Sequence, residues 1–310
     1  MELIENLTKA LGIPRWGTAP LDRCGPYLPC RGAELLNQRH RTVICFLFPY
    51  FTGEMPGRNL SRYACVPDYH RVAGRMLRQM ADSLSEQLPG HEFLPFVDSS
   101  PIREVRAAVE AGLGCRGENG LLIAPDYGSY VFLGEIVTDL ALPPRQPPGG
   151  HCLGCGKCRR QCPGRAIGED GILTERCLSH ITQKRGELTE EEAWLLASTG
   201  IIWGCDRCQE ICPMNQDVKK SPIPAFYQDG VERLELPVTR GEVRGRAFGF
   251  RGPGVLRRNL RIMAGQKADT RGEYSLKEGG VRLEDSSDHE GGCGDGSAVG
   301  NLTQPEQKDG

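Results

Sequence analysis

An α+β fold is the prediction for this 310-residue chain, and three features carry it. Helical stripes alternate with short apolar runs over residues 1–148. Eight cysteines between Cys152 and Cys212 fall into two runs of one grammar. From Gln266 onward Gly, Asp, Glu and Ser dominate and little is apolar. The expected divisions are a helix-and-strand domain over 1–148, a cysteine domain over 149–221, a short basic helical segment over 222–265, and a disordered acidic tail over 266–310.

The elements follow in order. Leu3, Leu7 and Leu11 share one helical face before Gly12 ends the segment. Val43-Ile44-Cys45-Phe46-Leu47-Phe48 is an unbroken apolar run stopped by Pro49, the pattern of a strand covered on both faces. Asp68 to Leu88 places Val72, Met76, Leu77, Met80, Leu84 and Leu88 on one helical stripe. Glu92 to Val97 reads as a short strand that delivers Asp98 to its end. Pro101 to Ala111 suits a helix, with Gly112 and Gly114 as stops. Gly120 to Ala124 and Tyr130 to Val137 read as two strands around the turn Pro125-Asp126-Tyr127-Gly128. Pro143-Pro144 and Pro147-Pro148-Gly149-Gly150 mark a linker. Beyond the cysteines, Arg244, Arg246, Arg251, Arg257, Arg258 and Arg261 lie on or near a helix starting around Pro253.

The cysteine runs carry the most specific chemistry. Cys152-x2-Cys155-x2-Cys158-x3-Cys162-Pro163 has the spacing with which bacterial ferredoxins hold a [4Fe–4S] cluster. Cys205-x2-Cys208-x3-Cys212-Pro213 repeats its ending, and Cys177 stands alone between the runs. In two-cluster ferredoxins the cysteine before Pro serves the other cluster. The crossed assignment gives Cys152, Cys155, Cys158 and Cys212 to one cluster. Cys162, Cys205 and Cys208 go to the second, whose fourth position falls to Cys177. Zinc sites also use C-x2-C pairs, but they rarely need the third cysteine or the Cys-Pro ending. Disulfides fit less well, because Met1 to Ala10 carries Glu2 and Glu5 and lacks a charged-then-apolar leader. The same observation makes the cytoplasm the expected location. No apolar run approaches the ~18 residues of a membrane span. Cys24, Cys30, Cys45, Cys65, Cys115 and Cys293 read as core or loop filler.

The overall charge of −2 hides a split. Residues 266–310 carry five Lys or Arg against ten Asp or Glu, a net of −5, so the body before them carries +3. A slightly basic body is compatible with nucleic acid without requiring it.

Upstream of the cysteines the chain resembles a known family. The order Asp98-Ser99-Ser100-Pro101, Ala111-Gly112-Leu113-Gly114, Leu121-Leu122-Ile123 and Phe132-Leu133-Gly134-Glu135-Ile136, followed by the double cysteine run, is similar to epoxyqueuosine reductases. So are Arg62-Tyr63-Ala64 to Asp68-Tyr69-His70, Gly204-Cys205-Asp206-Arg207-Cys208-Gln209 and Leu256-Arg257-Arg258-Asn259. The resemblance covers about Leu3 to Ala264. It implies a cobalamin-binding α/β domain fused to a ferredoxin-like domain with two [4Fe–4S] clusters. It also implies removal of the epoxide oxygen of epoxyqueuosine in a tRNA anticodon loop, with electrons from an external low-potential donor. Asp98 matches the family's proton donor, and a carboxyl must be neutral to donate. An Asp before Ser-Ser-Pro also suits a plain helix N-cap. His70 and Tyr69 match the substrate side of the site; otherwise they read as a surface or capping His and a core ring.

Several positions depart from the family pattern. Cys115 and Glu118 stand where the family usually shows Trp and Lys. Val105 stands where it tends to carry Arg or Lys. Cys65-Val66-Pro67 interrupts the pattern before Asp68-Tyr69-His70. These changes are expected at the periphery of the substrate or cofactor. They leave two alternatives open: a corrinoid reductase of the same build acting on another substrate, and a dicluster electron carrier. A carrier would have no use for Asp98 and His70.

Overall fold

A computed structural model of the chain describes residues 1–144, 150–169 and 171–265. The expected acidic tail, with Cys293, lies outside the described residues. Six strands are present: β1 (Arg15–Pro20), β2 (Thr42–Pro49), β3 (Phe93–Phe96), β4 (Cys115–Arg116), β5 (Leu122–Ile123) and β6 (Val131–Thr138). The main sheet has the order β1-β2-β6-β3, and every pairing in it is antiparallel. The first four helices are α1 (Glu2–Ala10), α2 (Arg62–Cys65), α3 (Tyr69–Gln87) and α4 (Glu104–Glu110).

The unbroken apolar run of β2 is explained by its two covered faces. Ile44, Phe46 and Phe48 join the core that contains Leu77, Met80 and Leu84 of α3 and Ile4 of α1. Val43, Cys45 and Leu47 join a second core with Val105, Ala107 and Ala108 of α4. Alternate side chains of a strand leave opposite faces, so both sets must be apolar. The fold is therefore mixed helix and strand, as expected. Its main sheet is antiparallel throughout.

Local differences have local causes. β1 was not anticipated, because Arg15-Trp16-Gly17-Thr18-Ala19-Pro20 shows neither alternation nor an apolar run. The expected hairpin between Gly120–Ala124 and Tyr130–Val137 does not form. β5 pairs with β4, a bridge from Ala124 to Gly128 closes the turn, and β6 enters the main sheet. α4 starts at Glu104 with Arg103 at its N-cap, so Asp98 is not a helix cap.

Six further helices follow: α5 (Lys157–Arg160), α6 (Leu178–Gln183), α7 (Glu190–Thr199), α8 (Arg207–Glu210), α9 (Arg240–Val243) and α10 (Gly252–Met263). α5 and α8 pack together, carrying Cys158 and Cys208. Phe226, Leu234, Val238, Phe248 and Leu256 join the same core as α3 and β2. The expected boundary at 221/222 thus falls inside a shared core. Asn259 on α10 is fully buried and donates to the carbonyls of Thr182 and Ile202 at 2.8 and 2.7 Å. Arg257 and Arg258 donate to the carbonyls of Val238 and Lys184, each at 2.7 Å, so these two arginines are occupied in holding the chain together. No helix among the described residues is long and apolar enough to cross a membrane.

Candidate active site

Beside the sheet lies a cleft enclosing about 1190 Å³ of space, part of it open to solvent. Tyr50, Tyr63, Tyr69, Phe132, Leu133 and Val105 form much of its apolar wall. Asp98 and Glu104 reach it from the β3–α4 side, and Cys162, Cys177, Cys205 and Cys208 reach it from the cysteine region. β3 pairs β6 only from Glu135 to Thr138, so Val131 to Gly134 have no strand partner on that side. Val131, Phe132 and Leu133 line the cleft there.

Asp98, which lines the cleft, meets His70 although the two are 28 residues apart. Asp68 caps α3, accepting the His70 backbone N–H at 3.0 Å and contacting ring Nδ1 at 2.7 Å. This directs Nε2 to Asp98 Oδ2 at 3.3 Å. Burial alone would lower the imidazole pKa, but the two carboxylates outweigh it and hold it up at about 9. Burial pushes Asp68 up, and its bonds to His70 more than offset that, holding it below the usual range. Tyr69 is buried, stacks on Phe132 with ring centroids 4.1 Å apart, and lies 4.0 Å from the His70 ring. Burial and the Asp98 charge keep its hydroxyl protonated. Tyr69 and Asp98 therefore line the cleft, and His70 touches both. Asp68 was missed as a member, although it adjoins the motif that revealed the other two.

The eight cysteines sort into two cavities. Cys162, Cys177, Cys205 and Cys208 line the large cleft. Cys152, Cys155, Cys158 and Cys212 line a separate cavity of about 320 Å³. Burial pushes the Cys205 thiol up to about 12, and the nearby Cys177 and Cys162 add to it. Cys208 is raised by burial and by Cys205, Cys177 and Cys162. Cys212 is raised by burial and by Cys152 and Cys155. Such thiols lose their protons readily only when metal replaces them. Among the described residues no three His, Cys, Asp or Glu side chains close around a single ion.

Two glycines fit these loops to their neighbours. A Cβ on Gly204, at φ +72°, would collide with Ser61, and one on Gly164 would collide with the Arg176 carbonyl. The second run is also anchored by Asp206, which is buried, pairs with Arg58 at 3.0 Å and accepts the Arg62 N–H at 2.7 Å.

Residues 151–215 match a family model described as "4Fe-4S double cluster binding domain". Residues 32–99 match one described as "Epoxyqueuosine reductase QueG, DUF1730". The epoxyqueuosine reductase of Gloeobacter violaceus is 38% identical over 239 residues, covering 68% of this chain and 75% of that protein. The chain belongs to the epoxyqueuosine reductase family. The Lactococcus garvieae epoxyqueuosine reductase is 34% identical over 221 residues, covering 68% of this chain. The chain spans 62% of that relative's length. The epoxyqueuosine reductase structure from Streptococcus thermophilus shares the fold with a TM-score of 0.71 at 24% identity, covering 85% of this chain and 80% of that one. A structure of epoxyqueuosine reductase with an epoxyqueuosine-modified tRNA-Tyr stem loop gives 0.73 at 24% identity, covering 86% and 80%.

Within this family fold the unusual positions do not share one place. Val105 lines the large cleft, as expected for a position near substrate. Glu118 instead lines the small cavity, its carboxyl 3.9 Å from Cys158 Sγ. Cys115 is raised by burial and by Cys152 and Cys212, which places it on the same side. Cys65 is buried in the main core. Expecting these changes together at the cofactor periphery thus holds for Val105 alone. Glu118 and Cys115 reach the first cysteine run because β4 and the following turn pass over it.

Proposed function

We propose that the chain is an iron–sulfur, cobalamin-dependent reductase that removes the epoxide oxygen of epoxyqueuosine in tRNA. One observation carries this reading: Asp98, contacted by His70 at 3.3 Å, and the thiols of Cys162, Cys177, Cys205 and Cys208 open onto a single cleft. An acid and a source of electrons can there act on one bound group.

In this reading the small cavity's Cys152, Cys155, Cys158 and Cys212 hold one [4Fe–4S] cluster. Cys162, Cys177, Cys205 and Cys208 hold the other. Two cavities, each lined by four thiols, suit two cubanes better than two single ions. The large cleft suits a corrin: its wall is apolar and aromatic, and the unpaired edge of Val131 to Gly134 offers backbone donors and acceptors to amide substituents. Cobalamin bound there would supply a reduced cobalt that is nucleophilic toward an epoxide carbon. The domain expected over 1–148 is then the cofactor and catalytic part, and 149–221 the electron-transfer part.

The chain's own residues manage protons and position. Opening an epoxide to an alkene and water consumes two electrons and two protons. The proton that His70 holds up to about pH 9 passes across the 3.3 Å contact to Asp98 and on to the departing oxygen, and solvent reloads the pair for the second proton. Asp68 fixes the orientation of the imidazole. Tyr69 and Phe132 form a flat stacked wall that excludes water from this side. The partners proposed are tRNA and an external low-potential electron donor, and the proposed location is the cytoplasm.

The test is turnover of an epoxyqueuosine-containing tRNA stem loop by protein reconstituted with iron, sulfide and cobalamin. Queuosine is the expected product. A second reading, a reductase of the same build acting on another substrate, is favoured by uncharged Val105 on the cleft wall. Cobalamin binding without conversion of the tRNA would select it. Iron–sulfur clusters without cobalamin binding would contradict both.

A further inference from the structure

We propose that Glu104, with Glu135 buried beside it, is the positioning residue that holds the catalytic Asp98 in place. The inference rests on the reading of Asp98 as the acid of the proposed reductase.

Asp98 has φ +61°, in the left-handed region. A residue with a Cβ adopts that region at a cost that contacts around it offset. The Asp98 N–H donates to Glu104 Oε1 at 3.1 Å. Glu104 is the first residue of α4, 9% exposed, and lines the same cleft as Asp98. The first turn of a helix thus presents a carboxyl backwards to the strained residue that precedes it. The Asp98 carboxyl is left free to face His70.

Glu135 completes the arrangement. It lies on β6 with Leu133 and Val137, on the face that α4 covers. It is 1% exposed, and neither carboxyl oxygen has a hydrogen-bond partner of ordinary geometry among the described residues. A buried, unpartnered carboxyl is costly as an anion, so it keeps its proton. Burial raises Glu135 to about 8, with the Asp98 charge adding and the Ser100 hydroxyl opposing. Burial, Glu135 and Asp98 together raise Glu104 as well. The other titratable groups facing the pair are Tyr69 on α3, Cys45 on β2 and Cys24 after β1, none of them cationic. Two buried carboxyls that raise one another do not both ionise, so the pair keeps a proton at neutral pH. Glu104 accepts the Asp98 N–H through Oε1.

The experiment compares wild type, Glu104→Gln and Glu104→Ala, with equal iron content as the check on folding. Glutamine keeps an accepting oxygen without a charge; alanine removes the oxygen. Glu104→Gln is expected to keep kcat within a few-fold and to keep hydrogen–deuterium exchange protection of the peptide containing Asp98. Glu104→Ala is expected to lose that protection and roughly 10²-fold in kcat at unchanged KM, the scale of a small misplacement of a reacting group. Glu104→Gln as slow and as unprotected as Glu104→Ala would overturn the proposal, as would Glu104→Ala behaving like wild type. Exchange is read without turnover. If wild type fails to convert the tRNA while the exchange pattern holds, the functional reading falls and the positioning of Asp98 stands.

Discussion

The two cysteine-lined cavities differ in everything except their thiols. The larger, of about 1190 Å³, shares its walls with Asp98, Glu104 and three tyrosines. The smaller, of about 320 Å³, has Glu118 and the exposed Cys155 and Leu153 around it, and no part of the proposed acid machinery. Four thiols alone build a place to hold electrons. The same four thiols opening onto a proton donor and an apolar wall build a place to use them. In the proposed function, electron supply falls to the small cavity and bond breaking to the cleft.

The largest effect should come from separating the two sets. Cys208→Ala and Cys155→Ala are each expected to lose about half the iron, by iron analysis, and all turnover with a protein electron donor. A strong small-molecule reductant should restore part of the turnover to Cys155→Ala and none to Cys208→Ala. Equal rescue would erase the division between the cavities. Next in size, Asp98→Asn should keep its iron and slow turnover by roughly 10²–10⁴, the range of lost acid catalysis. Unchanged turnover would remove Asp98 from the chemistry.

The pH profile refines the cleft side. The His70 pKa is raised from 6.5 to about 9, so its proton is held through neutral pH and leaves as pH rises through about 9. Turnover should fall on that alkaline limb, and His70→Gln should be slow and lack it. A limb that survives in His70→Gln belongs to another group. The smallest effect is expected at the surface cavity. Removing the Glu118 charge 3.9 Å from Cys158 favours an added electron, so Glu118→Gln should raise one cluster midpoint and leave the other in place. Equal shifts in both would misplace Glu118.

What was legible in the sequence follows from distance along the chain. Cluster spacing is local, so the two cysteine sets could be written down, and the structure sorts the same eight residues into two cavities. α3 was legible from its stripe and β2 from its apolar run, since both bury continuous surface. β1 was not, because Gly17 and Pro20 interrupt a strand that tertiary pairing with β2 imposes. Asp98 and His70 could be joined only through resemblance, since nothing local brings a helix start to a strand end. Glu104 and Glu135 stood in plain sight as charged residues. Their burial depends on α4 lying over β6, which no window of sequence contains.

The most direct measurement is the absorption spectrum of the iron-reconstituted protein titrated with cobalamin, with one variant filling each cavity. Wild type should give a base-off cobalamin spectrum. Val105→Trp, which fills the large cleft, should abolish it, and Ile123→Trp, at the small cavity, should leave it unchanged. Cobalamin that fails to bind wild type, or binds Val105→Trp as well as wild type, would contradict the account.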